Sequence, residues 1–228
     1  MKRLFLAAAV TFGLSSAGYA TTVGFDIDGS FSNANGGLVY NSQDSYGWGT
    51  GGPCGLFCPS TLKVSDGSDS DNYANGHHNV DLMSLTWENN SNVTHPQTGV
   101  DLTINLNWTA PGSSSGSEMY SLAITNTSDG WFGLHPQDDT IDPSLNNPPL
   151  DFAGLPDNLG GGVTVGSYFW DFSGDGSFAN GKWSNPETGT AVATLKAKIS
   201  VVPLPAGGLL LLTGLGGLAA LRRRKQAA

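Results

Sequence analysis

From Val100 to Trp108 every second residue is apolar: Val100, Leu102, Ile104, Leu106 and Trp108 alternate with Asp101, Thr103, Asn105 and Asn107. Successive side chains of a strand point to opposite faces, so this stretch predicts a strand with one buried and one wet face. Residues 191–201 repeat the pattern, with Ala191, Ala193, Leu195, Ala197, Ile199 and Val201 on one side and Lys196 and Lys198 on the other. Further strands are predicted at 119–125, 163–172, 23–31, 38–41, 60–65 and 80–87. Between the two ends of the chain no stretch carries a helical period of useful length. About eight short strands separated by Gly, Asn, Ser and Asp predict an all-β body, an antiparallel β-sandwich of jelly-roll-like type. Residues 129–162, rich in Pro and Asp, are expected to form one long irregular loop.

The alternation stops at both ends. Residues 206–221 hold a single polar side chain, Thr213, and Arg222, Arg223, Arg224 and Lys225 follow at once. As a helix those sixteen residues would be about 24 Å long, somewhat short of a hydrocarbon core of about 30 Å. Four basic residues at mid-membrane would cost about 10 kcal/mol on the insertion scale, so they determine topology and stay cytoplasmic. Ahead of the run, Pro203 and Pro205 lack amide hydrogens and keep Val202 and Leu204 out of helical geometry. The chain is therefore expected to be extended just outside the membrane. At the other end Lys2 and Arg3, an apolar stretch over 4–14, and small Gly18 and Ala20 predict a secretory signal peptide cut after Ala20 by signal peptidase. The expected organisation is a signal helix at 1–20, an extracytoplasmic β-domain at 21–201 and a C-terminal segment at 202–228 with its transmembrane helix.

Val202, Pro203, Leu204, Pro205 and Ala206, with the apolar run and basic tail behind them, resemble the VPLPA variant of the PEP-CTERM sorting signals. That resemblance implies an exported substrate of an exosortase-type transpeptidase, held in the inner membrane as an intermediate and delivered to the envelope surface or outside the cell. Leu204 stands where the commoner form has Glu, so the resemblance does not say which sorting enzyme reads it.

With the terminal segments set aside, the body keeps four basic residues against all nineteen acids, a net charge of −15. Such a surface argues against nucleic acid and anionic membranes as partners and leaves divalent cations among the candidates. Cys54 and Cys58 are the only cysteines, with three residues between them in a Pro- and Gly-rich stretch. In an exported protein this predicts a local disulfide; a zinc site would need His77 and His78 as further ligands.

Asp171, Ser173, Asp175 and Gly176 match the opening of a calcium loop, but Lys182 stands where an EF-hand carries a bidentate Glu. A simpler calcium site is the remaining metal candidate there, and the same holds for Asp66, Asp69 and Asp71 and for Asp138, Asp139 and Asp142. Among six tryptophans, Trp108 falls on the apolar face of its strand, whereas Trp131 and Trp183, flanked by polar residues, are the candidates for stacking on a sugar ring. No arrangement of Ser, His and Asp or paired carboxyls points to catalysis, so no enzymatic activity is expected.

Trp48 and Gly49, Ser60 and Leu62, Leu85 to Asn89, the strand at Val100, and Glu187 ahead of the last strand together resemble the choice-of-anchor K domains of surface proteins. Those domains take alternative C-terminal anchors and have no established activity; with the two terminal segments, the expectation is an exported protein with a structural or adhesive surface role. The second expectation is a lectin-like glycan-binding module, with an extracellular polysaccharide as its partner and calcium as a candidate requirement.

Overall fold

The computed structural model describes residues 20–35, 40–49, 59–90, 97–127, 138–142, 152 and 155–202, and these contain strands and no helix. In chain order the strands are β1 (Thr21–Asn35), β2 (Tyr40–Ser42), β3 (Ser45–Trp48), β4 (Ser60–Ser65), β5 (Gly67–Tyr73), β6 (Gly76–Glu88) and β7 (Gln97–Ala110). They continue as β8 (Ser114–Thr125), β9 (Asp139–Asp142), β10 (Asn158–Gly160), β11 (Val163–Gly174), β12 (Ser177–Ala179), β13 (Lys182–Asn185) and β14 (Thr190–Val201). Of the segments read from the sequence, residues 1–19 of the expected signal peptide, both cysteines, Trp131, and residues 203–228 of the expected sorting signal lie outside the described residues.

Two antiparallel sheets result. The first runs β12-β13-β9-β8-β7-β1-β5 and the second β10-β11-β14-β6-β4-β3-β2. The alternating faces of the long strands decide how they meet. Phe25, Ile27, Leu102, Ile104, Leu106 and Trp108 of the first sheet and Leu85, Trp87, Ala193, Leu195, Ala197 and Ile199 of the second all belong to one buried core. Side chains bridge the sheets directly: the Trp108 indole N–H donates to Tyr168 Oη at 3.0 Å, and the rings of Trp87 and Trp183 meet edge-on at 5.3 Å. Gly29 shows how closely the layers approach, because a Cβ there would lie 2.7 Å from Val64 and 2.8 Å from Met83.

The expectations for the strands hold best where both the alternation and the turn residues were clear. The strand over 60–65 is β4, and those read at 100–108 and 191–201 are the centres of β7 and β14. The single loop expected over 129–162 is corrected: it contains β9 and β10, each only three or four residues long. β9 joins the sheet because Ile141 is buried in the core while its backbone pairs with both β8 and β13. β3 and β5 were not anticipated either. β5 (GSDSDNY) has no apolar alternation, and it is held as the edge of the first sheet by backbone pairing to β1.

Candidate functional site

The two outward faces differ in chemistry. On the second sheet, register sets Lys196 opposite Asp81 of β6, and Asp171 of β11, opposite Thr194, is its diagonal neighbour. Its ammonium lies 2.9 Å from Asp171 and 3.2 Å from Asp81, and these carboxylates hold its pKa above the ordinary lysine value. Lys63 pairs with Glu88 at 3.1 Å on the same face. Lys198, His77, Asn79, Ser167 and Phe169 line an open recess beside the triad.

The outer face of the first sheet has a recess of about 550 Å³ with no cation on it, lined by Asp26, Asp28, Asn105, Asn107, Ser115 and Ser117 and their strand neighbours Ile27, Leu106 and Gly116. Pairing between β1, β7 and β8 sets these residues in two successive rungs, Asp26–Asn107–Ser115 and Asp28–Asn105–Ser117. The six side chains are exposed, and no side-chain hydrogen bond within the chain engages them. Two rungs further along the same face the polar groups are tied to one another. Asp101 accepts from Ser121 at 2.6 Å and from Asn33 at 2.8 Å, and those bonds hold its carboxyl below the usual range.

At one end of the core the same residue types are buried. Asn89 and Asn185 are 1% and 0% exposed, and together with Ser60 they join β4, β6, β13 and the turn into β14. Asn89 Nδ2 donates to Asn185 O at 2.9 Å, and Asn185 Nδ2 donates to Trp87 O at 3.0 Å and to Gly189 O at 3.1 Å. Ser60 Oγ donates to Asn89 Oδ1 at 3.0 Å. Around this knot Tyr46, Trp48, Trp87, Trp183 and Phe172 form a chain of ring contacts between 5.3 and 6.1 Å. Tyr46 also shares a hydrogen bond with Thr98, and burial raises its phenol pKa despite that bond.

Trp183 is therefore corrected as a sugar-stacking residue. It is 4% exposed, because β12 and β13 fold their inner side chains onto Trp87 and Phe172, and its faces are covered. The aromatic side chains that do reach the surface here are Trp170, Phe172 and Phe178, around a recess with Gly176 and Ser177. Flanking polar residues in the sequence could not show this, since a strand buries one residue and exposes the next.

The expected calcium loop is also reshaped. Asp171 to Gly174 is strand, Asp171 is bound to Lys196, and Asp175 Oδ2 accepts from Thr190 N at 2.9 Å. Ser173 lies on β11 opposite Val192. Asp66 Oδ1 accepts from Gly29 N, Asp69 and Asp71 sit on edge strand β5, and Asp139 is buried against Thr127. Among the described residues no group of three or more His, Cys, Asp and Glu side chains is placed to hold a metal ion. His78 is engaged locally, with Nε2 2.8 Å from Ala74 O and its ring 5.1 Å from Tyr73.

The last described strand ends one residue before the segment expected to be a sorting motif. Val201 is buried as the last residue of β14, and Val202 is 56% exposed with its N–H donating to Gly162 O at 2.8 Å. Comparison with protein families, with curated proteins and with solved structures returns no match, so the two resemblances rest on the residues quoted for them.

Proposed function

We propose that this is an exported protein, sorted through its C-terminal segment to the cell surface or extracellular matrix, where the β-domain has a structural or adhesive role. The observation that carries the reading is the order of residues after β14: Val202 to Ala206, sixteen nearly unbroken apolar residues, then Arg222, Arg223, Arg224 and Lys225. The run is too uniformly apolar for an amphipathic surface helix, and its basic end stops it from passing through a membrane. In this reading a signal helix at 1–20 directs export, the jelly-roll-like body faces outward, and a transmembrane helix over 206–221 presents the motif to an exosortase-type transpeptidase. A motif is accessible to such an enzyme only if the folded domain releases it, and the exposed Val202 after a buried Val201 fits that need. The local disulfide between Cys54 and Cys58 belongs to the same oxidising destination.

Intact mass of the protein recovered from its own cells tests the proposal. The expected mature chain lacks 1–20 and the residues beyond the motif, is 2 Da lighter by one disulfide as chemistry requires, and Pro203→Ala with Pro205→Ala accumulates uncleaved in the membrane. A wild-type chain that keeps Ala228 as its C-terminus overturns the sorting step.

A further inference from the structure

We propose that the outer face of the first sheet, centred on Asp26, Asp28, Asn105, Asn107, Ser115 and Ser117, binds a neutral polysaccharide chain. Two identical rungs, carboxylate then carboxamide then hydroxyl, stand side by side on three paired strands. Two rungs away on this same face Asp101, Ser121 and Asn33 are spent on one another. These six have no side-chain partner among the described residues, so their hydrogen-bonding groups face solvent, and they line one shallow open recess.

The chemistry of the rungs selects the ligand. Carboxylates only accept hydrogen bonds, carboxamides donate and accept, and hydroxyls do both. A ligand rich in hydroxyls can donate to Asp26 and Asp28 and accept from Asn105 and Asn107. A phosphate, sulfate or uronate polymer would bring negative charge against two carboxylates with no Lys, Arg or His in the recess to offset it. An apolar segment or lipid surface would strip water from all six polar groups without replacing their hydrogen bonds. Neutral sugars satisfy both conditions.

The shape favours a chain over a single sugar. Adjacent strands lie about 4.8 Å apart, so the rung that Ser68 of β5 extends, Ser68–Asp26–Asn107–Ser115, crosses roughly 14 Å of open surface. Each hydrogen bond there exchanges with water and is weak alone, so retention comes from repeating the contact over several sugar units.

The inference deepens the surface-protein reading and relies on it for where the glycan is met, but its test is independent of tail processing. The full chain, purified in a non-glycosidic detergent, is titrated with a neutral glucan, a mannan and a galactan, and with a polyuronate for comparison. At least one neutral polymer is expected to bind while the polyuronate does not. The double substitution Asn105→Ala and Asn107→Ala should weaken binding by about tenfold with an unchanged unfolding midpoint, and EDTA should have no effect. No binding by any neutral polymer overturns the proposal. Binding that survives the double substitution overturns it too, and transfers attention to the aromatic recess at Trp170 and Phe178. Loss of binding in EDTA would replace direct recognition by cation bridging, and binding only of a second copy of the chain would make the face a self-association surface. Tail cleavage, scored separately by intact mass, can fail without changing any of these results.

Discussion

Asparagine does opposite work in two regions of this molecule. Asn89 and Asn185 are sealed at one end of the core, where their amide groups bond backbone carbonyls, a neighbouring serine and each other's chain segments. Asn105 and Asn107 stand on an open sheet face with none of their side-chain atoms bonded inside the chain. A buried polar group must find a partner or lose the free energy of its hydration; both Asn amide nitrogens and Asn89 Oδ1 find one while Asn185 Oδ1 has none among the described residues, so the knot's bonds are committed to the fold. An exposed group gives up nothing to water, so the open face remains available to a ligand. The difference shows that residue type alone carries little information about role; the strand face and the layer decide it.

The sharpest way to break this comparison is to truncate both regions. Asn185→Ala leaves Trp87 O and Gly189 O without their side-chain donor inside the core and should cost about 2 to 3 kcal/mol in urea unfolding. Asn105→Ala with Asn107→Ala should stay within about 0.5 kcal/mol of the parent. Similar losses in the two variants would mean that the open face is structural after all.

Alkaline titration separates interior from surface next. Burial raises the phenol pKa of Tyr120 strongly, with Glu118 adding to the rise, and raises that of Tyr46 more modestly. Both folded values lie above the unfolded one of about 10. Their contribution is fully present below pH 10 and is lost as pH rises from there through the raised native values. Circular dichroism across that range should therefore show stability falling above pH 10, and Tyr46→Phe should make the fall shallower.

The smallest effect is expected at acid pH. Ser121 and Asn33 hold the Asp101 carboxyl below its ordinary value. The associated stability is present above the unfolded value of about 3.9 and is lost as pH falls through the depressed native one. Ser121→Ala should flatten that dependence slightly, since the group is close to solvent and well screened. A large change would show that the bonded part of the outer face matters more to the fold than the buried knot.

Much of the architecture could be read from alternation because each long strand buries one face. β7 and β14 carry five and six apolar residues in strict period two, and both occupy interior places in their sheets. β5 and β12 could not be read that way. An edge strand is held by backbone hydrogen bonds, which leave no trace in side-chain pattern, and β5 is Ser, Asp and Asn almost throughout. For the same reason Trp183 was misplaced: its polar neighbours Lys182 and Ser184 belong to the opposite face of β13. The open rungs were partly visible, since Asp26 and Asp28 and then Asn105 and Asn107 are spaced two apart on predicted strands. What sequence could not supply was the register of β1 against β7 and β8, which sets Asp26 beside Asn107 and Asn107 beside Ser115.

β14 lies between β11 and β6 and is paired to both along its length, and it is the last described strand of the chain. Tension applied at Val201 along the strand axis would load a central strand and both of its ladders at once. The bonds of both ladders would have to slide together in shear, whereas an edge strand could be peeled away one pair at a time. A pull along the axis of β14 would therefore have two ladders to break where the same pull on an edge strand would have one.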